Sequence, residues 1–371
     1  MPRADYIMVG GFLGAGKTTA LLRLAEHLTA RGRRVGLITN DQSSGLVDTA
    51  LVGSHGYPVR EITGGCFCCR FNSLTDAARH LTAEAAPDVF LAEPVGSCTD
   101  LRASVQYPLR RLYGDDYRIS PLSVLVDPIR ALRVLGVEPG RSFSPKVRYV
   151  YAKQLEEAEI IAINKVDLLD GAGQAGLERA LRDAFPAADI VAISARAGTG
   201  LEDWFARVVD AESHVRGAMA VDYDDYAEGE ALLGWCNATV RLEADAPFDG
   251  NDLLRALARD VCARLADGRP EIAHFKMTLS PDGGLGDLGA LNLVASDREP
   301  ELSHRLQDDL ESGELIVNLR AEGPPELLQE AVTGALAGVP ASRGIRADVV
   351  HLEHFRPARP SPTFRMVAPH E

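Results

Sequence analysis

The sequence predicts an α/β fold, in which a doubly wound, mainly parallel sheet is followed by a smaller α+β domain of the ferredoxin-like kind. Three observations predict it. An apolar strand at residues 6–9 runs directly into a glycine-rich loop and a helix. Short apolar strands then alternate with helical patterns over roughly the first 210 residues, as in parallel sheets. Beyond an acidic segment at residues 222–230, strand–helix–strand patterns repeat, which is typical of a split βαβ domain.

The glycine-rich loop after the first strand matches the Walker A pattern at every required position. Glycines let several backbone N–H groups point at phosphate oxygens, and the helix that follows adds the positive end of its dipole. Lys17 can reach the β- and γ-phosphates, and the hydroxyl of Thr18 can ligate Mg²⁺. We therefore expect a nucleoside triphosphate to be bound by Gly11, Gly14, Ala15, Gly16, Lys17, Thr18 and Thr19.

Two later loops indicate that the base is guanine. Asn164, Lys165 and Asp167 follow an apolar strand, and the Asp167 carboxylate can accept from the N1–H and the exocyclic amine of guanine. Adenine would leave that carboxylate unpaired, which discriminates strongly between the two bases. Asn164 would hold the loop or contact the base, and the stem of Lys165 would cover the ring. Ser194 and Ala195 follow another short strand and are similar to the last guanine-contacting loop of GTPases. The predicted ligand is GTP, on a P-loop GTPase sheet.

Acidic residues follow two further strands, at the edge where doubly wound sheets bind their ligands. Glu93 can hold Mg²⁺ there, and Gly96 can bring a backbone N–H to the γ-phosphate. Asp41 is our candidate for orienting the attacking water or a water on Mg²⁺, within a switch loop at 40–48. The alternatives are a strand cap for Glu93 and a helix or turn cap for Asp41. The predicted catalytic residues are Lys17, Asp41 and Glu93, and the predicted Mg²⁺ ligands are Thr18, Glu93 and Asp41.

Three cysteines within four residues, Cys66, Cys68 and Cys69, distinguish the chain from an ordinary GTPase. In an extended segment Cys66 and Cys68 would share a face, and the two preceding glycines would allow the bend that brings in Cys69. Thiolates favour thiophilic ions such as Zn²⁺, and three ligands leave a position open for a metal that is handed on. The alternative is three buried small hydrophobic residues. We expect the remaining cysteines to be core residues: Cys98, Cys236 and Cys262.

The Walker A loop, the Gly-Gly-Cys-Phe-Cys-Cys motif, the Glu-Pro-Val-Gly motif at Glu93 and the Asn-Lys-Val-Asp motif at Asn164, in that order, resemble the CobW-like family of P-loop GTPases. That family is similar to the nickel-maturation GTPases UreG and HypB. The resemblance implies GTP hydrolysis coupled to metal handling, with the three cysteines as the metal site. It implies Mg²⁺ and a thiophilic divalent metal, Zn²⁺ first and Co²⁺ second.

Three functions are compatible with these motifs. The first is a GTP-driven metallochaperone or metal insertase acting on a client metalloenzyme. The second is a GTPase that activates or loads a corrinoid or other organometallic protein. The third is a non-enzymatic adaptor that responds to nucleotide and metal, or a P-loop kinase. Because no residue resembles a catalytic glutamine, we expect unaided GTP hydrolysis to be slow.

Composition narrows the partners and the location. The formal net charge of -14 and the pI of about 5.2 argue against binding to nucleic acid or to anionic membranes, which requires basic patches. No apolar run is long enough to span a bilayer, and the phosphate-binding loop starts too close to Met1 for a signal peptide. We therefore expect a cytoplasmic protein, with a homodimer as one arrangement to test.

The sequence divides into a GTPase domain at 1–212, an acidic linker at 213–232, an α+β domain at 233–340 and a tail rich in proline and arginine at 341–371. Within the α+β domain we expect a helix at 300–311. In a helical tail His351 and His354 would share a face and could relay metal. The favoured alternative is a partly ordered tail that packs back on the body.

Overall fold

The computed structural model describes residues 3–40, 56–214, 217–266, 270–283 and 287–367. The chain forms two compact units. The first contains Met1–Gly229 together with Arg359–Glu371, and the second contains Glu230–Ala358. The last residues of the chain therefore belong to the first unit.

The first unit is built on an eight-stranded sheet in which every pair of neighbours is parallel. The strands lie in the order β3-β2-β4-β1-β6-β7-β8, and β5 also pairs with β1. The central strands are buried along almost their whole length, which is why their sequences are continuous apolar runs. The strands are β1 (Ala4–Gly11), β2 (Val35–Asn40), β3 (Val59–Ile62), β4 (Val89–Glu93), β5 (Tyr117–Ile119), β6 (Ser123–Val126), β7 (Ile160–Ile163) and β8 (Asp189–Ala192).

Helices connect these strands. The sequence pattern predicts helices at 18–31, 73–84, 174–184 and 201–211, and all four are confirmed to within three residues at their ends. An amphipathic example is α7, whose Trp204 is fully buried and donates from Nε1 to Ser123 Oγ at 2.9 Å. The last helix spans the division between the units. The helices are α1 (Lys17–Ala30), α2 (Phe71–Ala85), α3 (Tyr107–Tyr113), α4 (Pro128–Val134), α5 (Pro145–Glu157), α6 (Gly171–Ala184), α7 (Leu201–Val209) and α8 (Tyr223–Leu232).

The second unit is an antiparallel sheet in the order β12-β11-β10-β13-β9-β14. Two strand–helix–strand units, β9-α9-β10 and β13-α10-β14, interlock so that β13 and β9 pair at the centre, which is the predicted split βαβ arrangement. Both helices pack their apolar faces on the sheet. The elements are β9 (Leu233–Phe248), α9 (Gly250–Leu265), β10 (Glu271–Pro281), β11 (Gly289–Leu293), β12 (Glu301–His304), β13 (Leu310–Glu322), α10 (Pro325–Gly338) and β14 (Ile345–Phe355).

The helix predicted at 300–311 is wrong. The segment contains the short strand β12, which pairs with β11, and then a loop that leads into β13. Its apolar residues Leu302, Leu306 and Leu310 have helical spacing, but Leu306 and Leu310 are buried in the core from a loop and a strand end. Tertiary packing therefore overrides the local pattern.

Two expected boundaries also differ in the structure. The predicted linker at 213–232 contains α8, and the predicted tail at 341–371 includes β14, the edge strand beside β9. His351 and His354 lie on this strand and do not share a helix face. None of the helices within the described ranges combines the length and the apolar character needed to cross a bilayer.

Candidate functional site

The carboxyl ends of β1, β2, β4 and β7 meet at one edge of the first sheet and carry the predicted nucleotide-binding residues. Basic and amide side chains donate hydrogen bonds to the carbonyl oxygens of the loop at 10–16. A loop whose carbonyls are already bonded offers a ligand mainly its N–H groups, which suit phosphate oxygens. The bonds run from Lys17 Nζ to Gly11 at 3.0 Å, from Arg130 to Leu13, from Lys165 Nζ to Gly14 at 2.7 Å and from Asn164 Nδ2 to Ala15 at 2.9 Å.

Gly16 caps the N-terminus of α1 in the left-handed conformation, with a φ of 88°. The N-cap residue is a glycine and supplies no side-chain bond to this helix end, where the first N–H groups of an α-helix can bind an anion. A Cβ atom on Gly16 would lie 2.4 Å from Asn164 Nδ2. Glycine is therefore required here both by the backbone conformation and by the close approach of the base-binding loop.

Glu93 lies at the end of β4 and faces the start of α1. Its Oε1 accepts a hydrogen bond from Thr18 Oγ1 at 3.1 Å and lies 4.0 Å from Lys17 Nζ. All three side chains are buried. A hydroxyl and a carboxylate side by side at a phosphate-binding loop are the oxygen ligands that Mg²⁺ takes. Three residues further on, a Cβ on Gly96 would lie 3.0 Å from Leu13 N, so the Glu93 loop approaches the phosphate-binding loop closely.

Asp41 lies outside the described residues, and its predicted role stays a prediction. Its neighbour Asn40 ends β2 with a buried side chain. Asn40 Nδ2 donates to Ile62 O at 2.9 Å and to Gly65 O at 2.8 Å. The end of β2 is thus bonded directly to the glycine pair that precedes the three cysteines.

Asn164 connects the two loops that are predicted to bind the base. Its Oδ1 accepts from the backbone N–H of Lys165 at 2.8 Å and from that of Ala195 at 3.0 Å. Ser194 Oγ accepts from Ala197 N at 3.0 Å, which shapes the loop that contains Ala195. Asp167 is exposed on the 3₁₀ turn Val166–Leu168, where its carboxylate is accessible to a ligand.

Asp127 is not among the predicted site residues, but it contacts two residues of the site. This residue is buried, caps α4 through a bond from Arg130 N at 3.0 Å, and pairs with Lys165 Nζ at 2.9 Å. Burial alone would raise the pKa of the Asp127 carboxyl, but the charges of Lys165 and Arg130 outweigh it and hold the pKa below its ordinary value. Asp127 therefore stays ionised and orients Lys165. The sequence does contain a pattern that indicates this role. Asp127 and Pro128 directly follow an apolar strand, and an Asp-Pro pair is typical of a helix N-terminus.

The three cysteine sulfurs lie within 4.8 Å of one another. The Sγ–Sγ distances are 2.9 Å for Cys66 and Cys68, 3.1 Å for Cys66 and Cys69, and 3.7 Å for Cys68 and Cys69. Convergence was predicted, but through an extended segment. Instead the motif forms turns that lead into α2, and Cys66 O accepts from Arg70 N at 2.9 Å. The turn brings in all three sulfurs.

The three thiols of the cluster differ in their pKa values. Hydrogen bonds from Cys68 and Cys69 hold the pKa of the Cys66 thiol well below its usual range. The same bonding raises the pKa of Cys68 well above its usual range, and that of Cys69 to about 11. Cys66 is therefore the most acidic of the three thiols. For Zn–S bonds of about 2.3 Å, a tetrahedral site requires sulfurs about 3.8 Å apart. The observed spacings fit such an ion after a small expansion.

The C-terminal segment at 359–367 packs on the cysteine motif within the first unit. The N–H of Ser361 donates to Cys69 Sγ at 3.2 Å, and that of Thr363 donates to Cys68 O at 2.9 Å. Thr363 Oγ1 also donates to Cys69 O at 3.2 Å. The expectation that the tail packs back on the body is confirmed for these residues.

Asp100 anchors the same segment. Its side chain is almost fully buried and accepts from Arg365 Nε at 2.7 Å and from the hydroxyl of Tyr223 at 2.7 Å. Burial raises the pKa of Asp100, although both hydrogen bonds oppose the rise. Phe364 adds an edge-on contact with Phe71, at 5.1 Å between ring centroids. The tail is thus fixed on both sides of Thr363.

The other cysteines fall into two groups. Cys236 is buried in the core of the second unit and Cys262 packs against that core, so both expectations are confirmed. Cys98 is buried in the first unit, as expected.

The parallel sheet, the phosphate-binding loop at its ligand edge and the thiol cluster bonded to that edge through Asn40 define a P-loop nucleotide-binding protein. The chain belongs to the CobW/HypB/UreG family, whose nucleotide-binding domain matches residues 5–192. The resemblance inferred from the motifs is confirmed. The matched residues include the phosphate-binding loop, the cysteine motif and β7, the strand that precedes Asn164.

Several characterised proteins are similar to parts of this chain. The zinc chaperone CobW of a Sinorhizobium species is 28% identical over 190 residues, which are 45% of this chain and 52% of that protein. The zinc chaperone YeiR of Escherichia coli K12 is 36% identical over 91 residues, 24% of this chain and 27% of that protein. The chain thus spans about half the length of the first relative and about a quarter of the second.

Solved structures that match parts of this chain include HypB from Helicobacter pylori in complex with nickel and Zn(II)-bound YjiA GTPase from Escherichia coli. The HypB structure has 19% identity and a TM-score of 0.41, covering 54% of this chain and 84% of HypB. The YjiA structure has 16% identity and a TM-score of 0.34, covering 90% of this chain and 99% of YjiA.

Proposed function

We propose that this protein binds and hydrolyses GTP and uses its nucleotide state to control the transfer of a thiophilic metal from Cys66, Cys68 and Cys69 to a client protein. One observation carries the proposal. A three-thiol cluster, in which Cys66 and Cys68 are buried and Cys69 is half-buried, is bonded through Asn40 and Gly65 to β2, which ends at the sheet edge that carries the predicted nucleotide-binding residues. The names of the similar zinc chaperones support Zn²⁺ as the cargo.

Guanine nucleotide is supported by the base-binding loops. Asn164 joins the phosphate-binding loop to the Ala195 loop, and Lys165 is oriented by Asp127. Asp167 is exposed and can accept both N–H groups of the guanine edge. A nucleotide that bridges these loops would therefore stabilise their relative positions.

Hydrolysis would rely on charge and positioning. Lys17 and the N–H groups of the loop would bind the β- and γ-phosphates, while Thr18 and Glu93 are the residues that would hold Mg²⁺. Bound Mg²⁺ would neutralise charge that develops on the phosphates. Asp41 is proposed to orient the attacking water. The chain offers no glutamine in a catalytic motif, and we expect slow turnover until a client or metal is bound.

The metal is treated as cargo. Three thiols leave one coordination position for a ligand from the client, so that the ion can pass from one set of ligands to the other without being released into water. A client metalloenzyme is proposed as the recipient, and loading of a corrinoid protein is the second candidate. The N–H of Ser361, which donates to Cys69, would favour the thiolate form of that sulfur.

The first test is a Zn²⁺ titration of the full-length protein with GTP or GDP bound, on the wild type and on the triple variant Cys66→Ser/Cys68→Ser/Cys69→Ser. We expect different Zn²⁺ affinities in the two nucleotide states and a large loss of affinity in the triple variant. Equal affinities in both states would refute the coupling, and unchanged affinity in the variant would refute the thiol site. Cys262→Ser, in the second unit, is the matched control.

The second test addresses the nucleotide. Asp167→Asn removes an acceptor that guanine requires and should weaken GTP binding by roughly 100-fold. Asp183→Asn changes an exposed aspartate of the same sequence region, on α6, and should have no effect. Calorimetry measures the affinity of each variant for GTP and for ATP. Tight binding of GTP by Asp167→Asn would contradict the guanine assignment. Release of phosphate from GTP, measured with and without Zn²⁺, distinguishes the enzyme from an adaptor.

A further inference from the structure

The loop at 93–98 lies against the phosphate-binding loop. At its start, Glu93 Oε1 accepts from Thr18 Oγ1 at 3.1 Å. Three residues later, a Cβ atom on Gly96 would lie 3.0 Å from Leu13 N, so the backbone at Gly96 closely approaches the backbone of the phosphate-binding loop. The conformation of the loop at 93–98 therefore decides where the N–H of Gly96 points.

A buried side chain from outside this loop holds it in place. Gln154 Nε2 donates to Gly96 O and to Cys98 O, each at 2.9 Å. An amide nitrogen has two hydrogens, and Gln154 uses both on this loop. Cys98 N donates to Val95 O at 2.9 Å, which closes a turn around Gly96. One residue thus holds the turn that contains Gly96 at two carbonyl groups.

The helix that carries Gln154 also contacts the phosphate-binding loop. On α5, Tyr151, Gln154 and Glu157 recur at every third position, so each is a neighbour of the next on the helix surface. Tyr151 packs edge-on against Phe12 of the phosphate-binding loop, with 5.5 Å between ring centroids. Glu157 accepts from Arg102 N at 3.1 Å, beyond the other end of the loop at 93–98. The helix α5 is therefore a common support for both loops.

We infer that Gln154 is a positioning residue for GTP, which orients the turn so that the N–H of Gly96 points at the γ-phosphate; this inference rests on the proposed function. Gln154 donates both of its hydrogens to the loop, so it would act on the nucleotide through Gly96. Because GDP has no γ-phosphate, this positioning would raise the affinity for GTP above that for GDP. Gln154 would thus set how strongly the protein distinguishes its two nucleotide states.

Preorganisation is the physical basis of the effect. Glycine samples more backbone conformations than other residues, so a turn that contains Gly96 loses more entropy when it is ordered. The two bonds from Gln154 order the turn during folding, before a nucleotide binds. Without them the turn would have to be ordered each time GTP binds. The hydrogen bond to a charged phosphate oxygen would then weaken, and losing a bond of this kind lowers affinity by roughly tenfold or more.

The full-length Gln154→Met variant tests this inference, because methionine has a similar volume and cannot donate to the two carbonyls. Calorimetry in the presence of Mg²⁺ measures its affinity for a non-hydrolysable GTP analogue and for GDP. We expect binding of the analogue to weaken by roughly tenfold and binding of GDP to change by less than about twofold.

Gln106→Met is the matched control. Gln106 is also buried in the first unit and donates from Nε2 to a carbonyl, that of Ser120, at 3.1 Å. Ser120 precedes β6 on the side of the sheet away from the nucleotide edge. The control should therefore keep the preference of the wild type for the GTP analogue over GDP.

A double-mutant cycle with Gly96→Ala separates positioning from a general loss of stability. If Gln154 acts through Gly96, the two variants affect the same contact, and the double variant should lose less affinity for the analogue than the product of the two single losses. Losses that multiply in full would show that Gln154 does not act through Gly96.

Folding is checked by circular dichroism on each variant. Gln154→Asn provides a milder change, because it keeps the amide but is shorter by one methylene group. It should lose an intermediate part of the preference for the analogue, and it carries the same comparison if Gln154→Met does not fold.

The outcomes separate this inference from the proposed function. Equal losses for the analogue and for GDP, or no loss for either, would overturn the positioning role of Gln154 and leave GTP binding standing. A wild type that binds neither nucleotide would instead refute the proposed function.

Discussion

Replacing Glu157 by glutamine should remove a large pH dependence from the stability of the first unit. Glu157 lies at the end of α5, and its side chain is buried. One carboxyl oxygen accepts from Arg102 N at 3.1 Å, and the other accepts from Thr99 Oγ1 at 3.4 Å. Burial raises the pKa of Glu157 from 4.5 to about 8, and the negative charge of Asp100 adds to the rise.

The magnitude follows from the two pKa values. In the unfolded chain Glu157 loses its proton near pH 4.5, whereas in the folded chain it keeps the proton to about pH 8. Between these values the folded state binds more protons, so the free energy of unfolding falls as the pH rises. At about 1.36 kcal/mol per pKa unit, the fall between pH 5 and pH 8 is about 3 to 4 kcal/mol. The stabilising contribution is complete below pH 4.5 and lost above pH 8.

Urea unfolding measured by tryptophan fluorescence tests this value. The chain has two tryptophans, one in each unit, so a Trp235→Phe background leaves Trp204 as the reporter of the first unit. In that background, Glu157→Gln should lose most of the decrease in stability between pH 5 and pH 8. Glu156→Gln, at an exposed neighbouring position, should retain it. If the decrease were equally large in Glu157→Gln, the raised pKa of Glu157 would not be its source.

Three further changes have definite expected results. Asp127→Asn removes the carboxylate that pairs with Lys165. Because Lys165 is partly exposed, the free energy of unfolding should fall by about 1 to 3 kcal/mol. GTP binding, measured by calorimetry, should also weaken. Gly96→Ala places a Cβ 2.8 Å from a methyl carbon of Leu13. It should weaken GTP binding roughly tenfold and GDP binding less. Equal losses for the two nucleotides would contradict a contact between Gly96 and the γ-phosphate. Arg365→Ala removes a bond to a buried carboxylate and should increase amide hydrogen exchange across the tail several-fold, and unchanged exchange would show that the tail is held without it.

Much of the nucleotide edge could be predicted because its chemistry is local in sequence. The phosphate-binding loop lies between a strand and a helix, so the roles of Lys17 and Thr18 follow from spacing alone. Glu93 and Asn164 could be placed because parallel strands bring their carboxyl ends to one edge. In each case a short apolar run fixes the position of the residue that follows it.

The remaining features depend on contacts between residues far apart in the chain. No local pattern indicates that Thr363 donates to Cys68, nearly 300 residues away, or that Arg365 pairs with Asp100. The edge strand β14 was missed for a similar reason, because its pairing with β9 is not visible in a composition rich in charge and histidine.

Two of the described segments contact the cysteine cluster, and each has a different origin. The end of β2 reaches it through Asn40 and Gly65, and the C-terminal segment reaches it through Ser361. The first segment ends at the sheet edge that carries the predicted nucleotide-binding residues, so a bound nucleotide would act on the sulfurs through a short connection. The second segment lies outside that edge. A client that displaced it would remove the N–H donor from Cys69 without disturbing the phosphate-binding loop, so nucleotide and client would influence release of the metal separately.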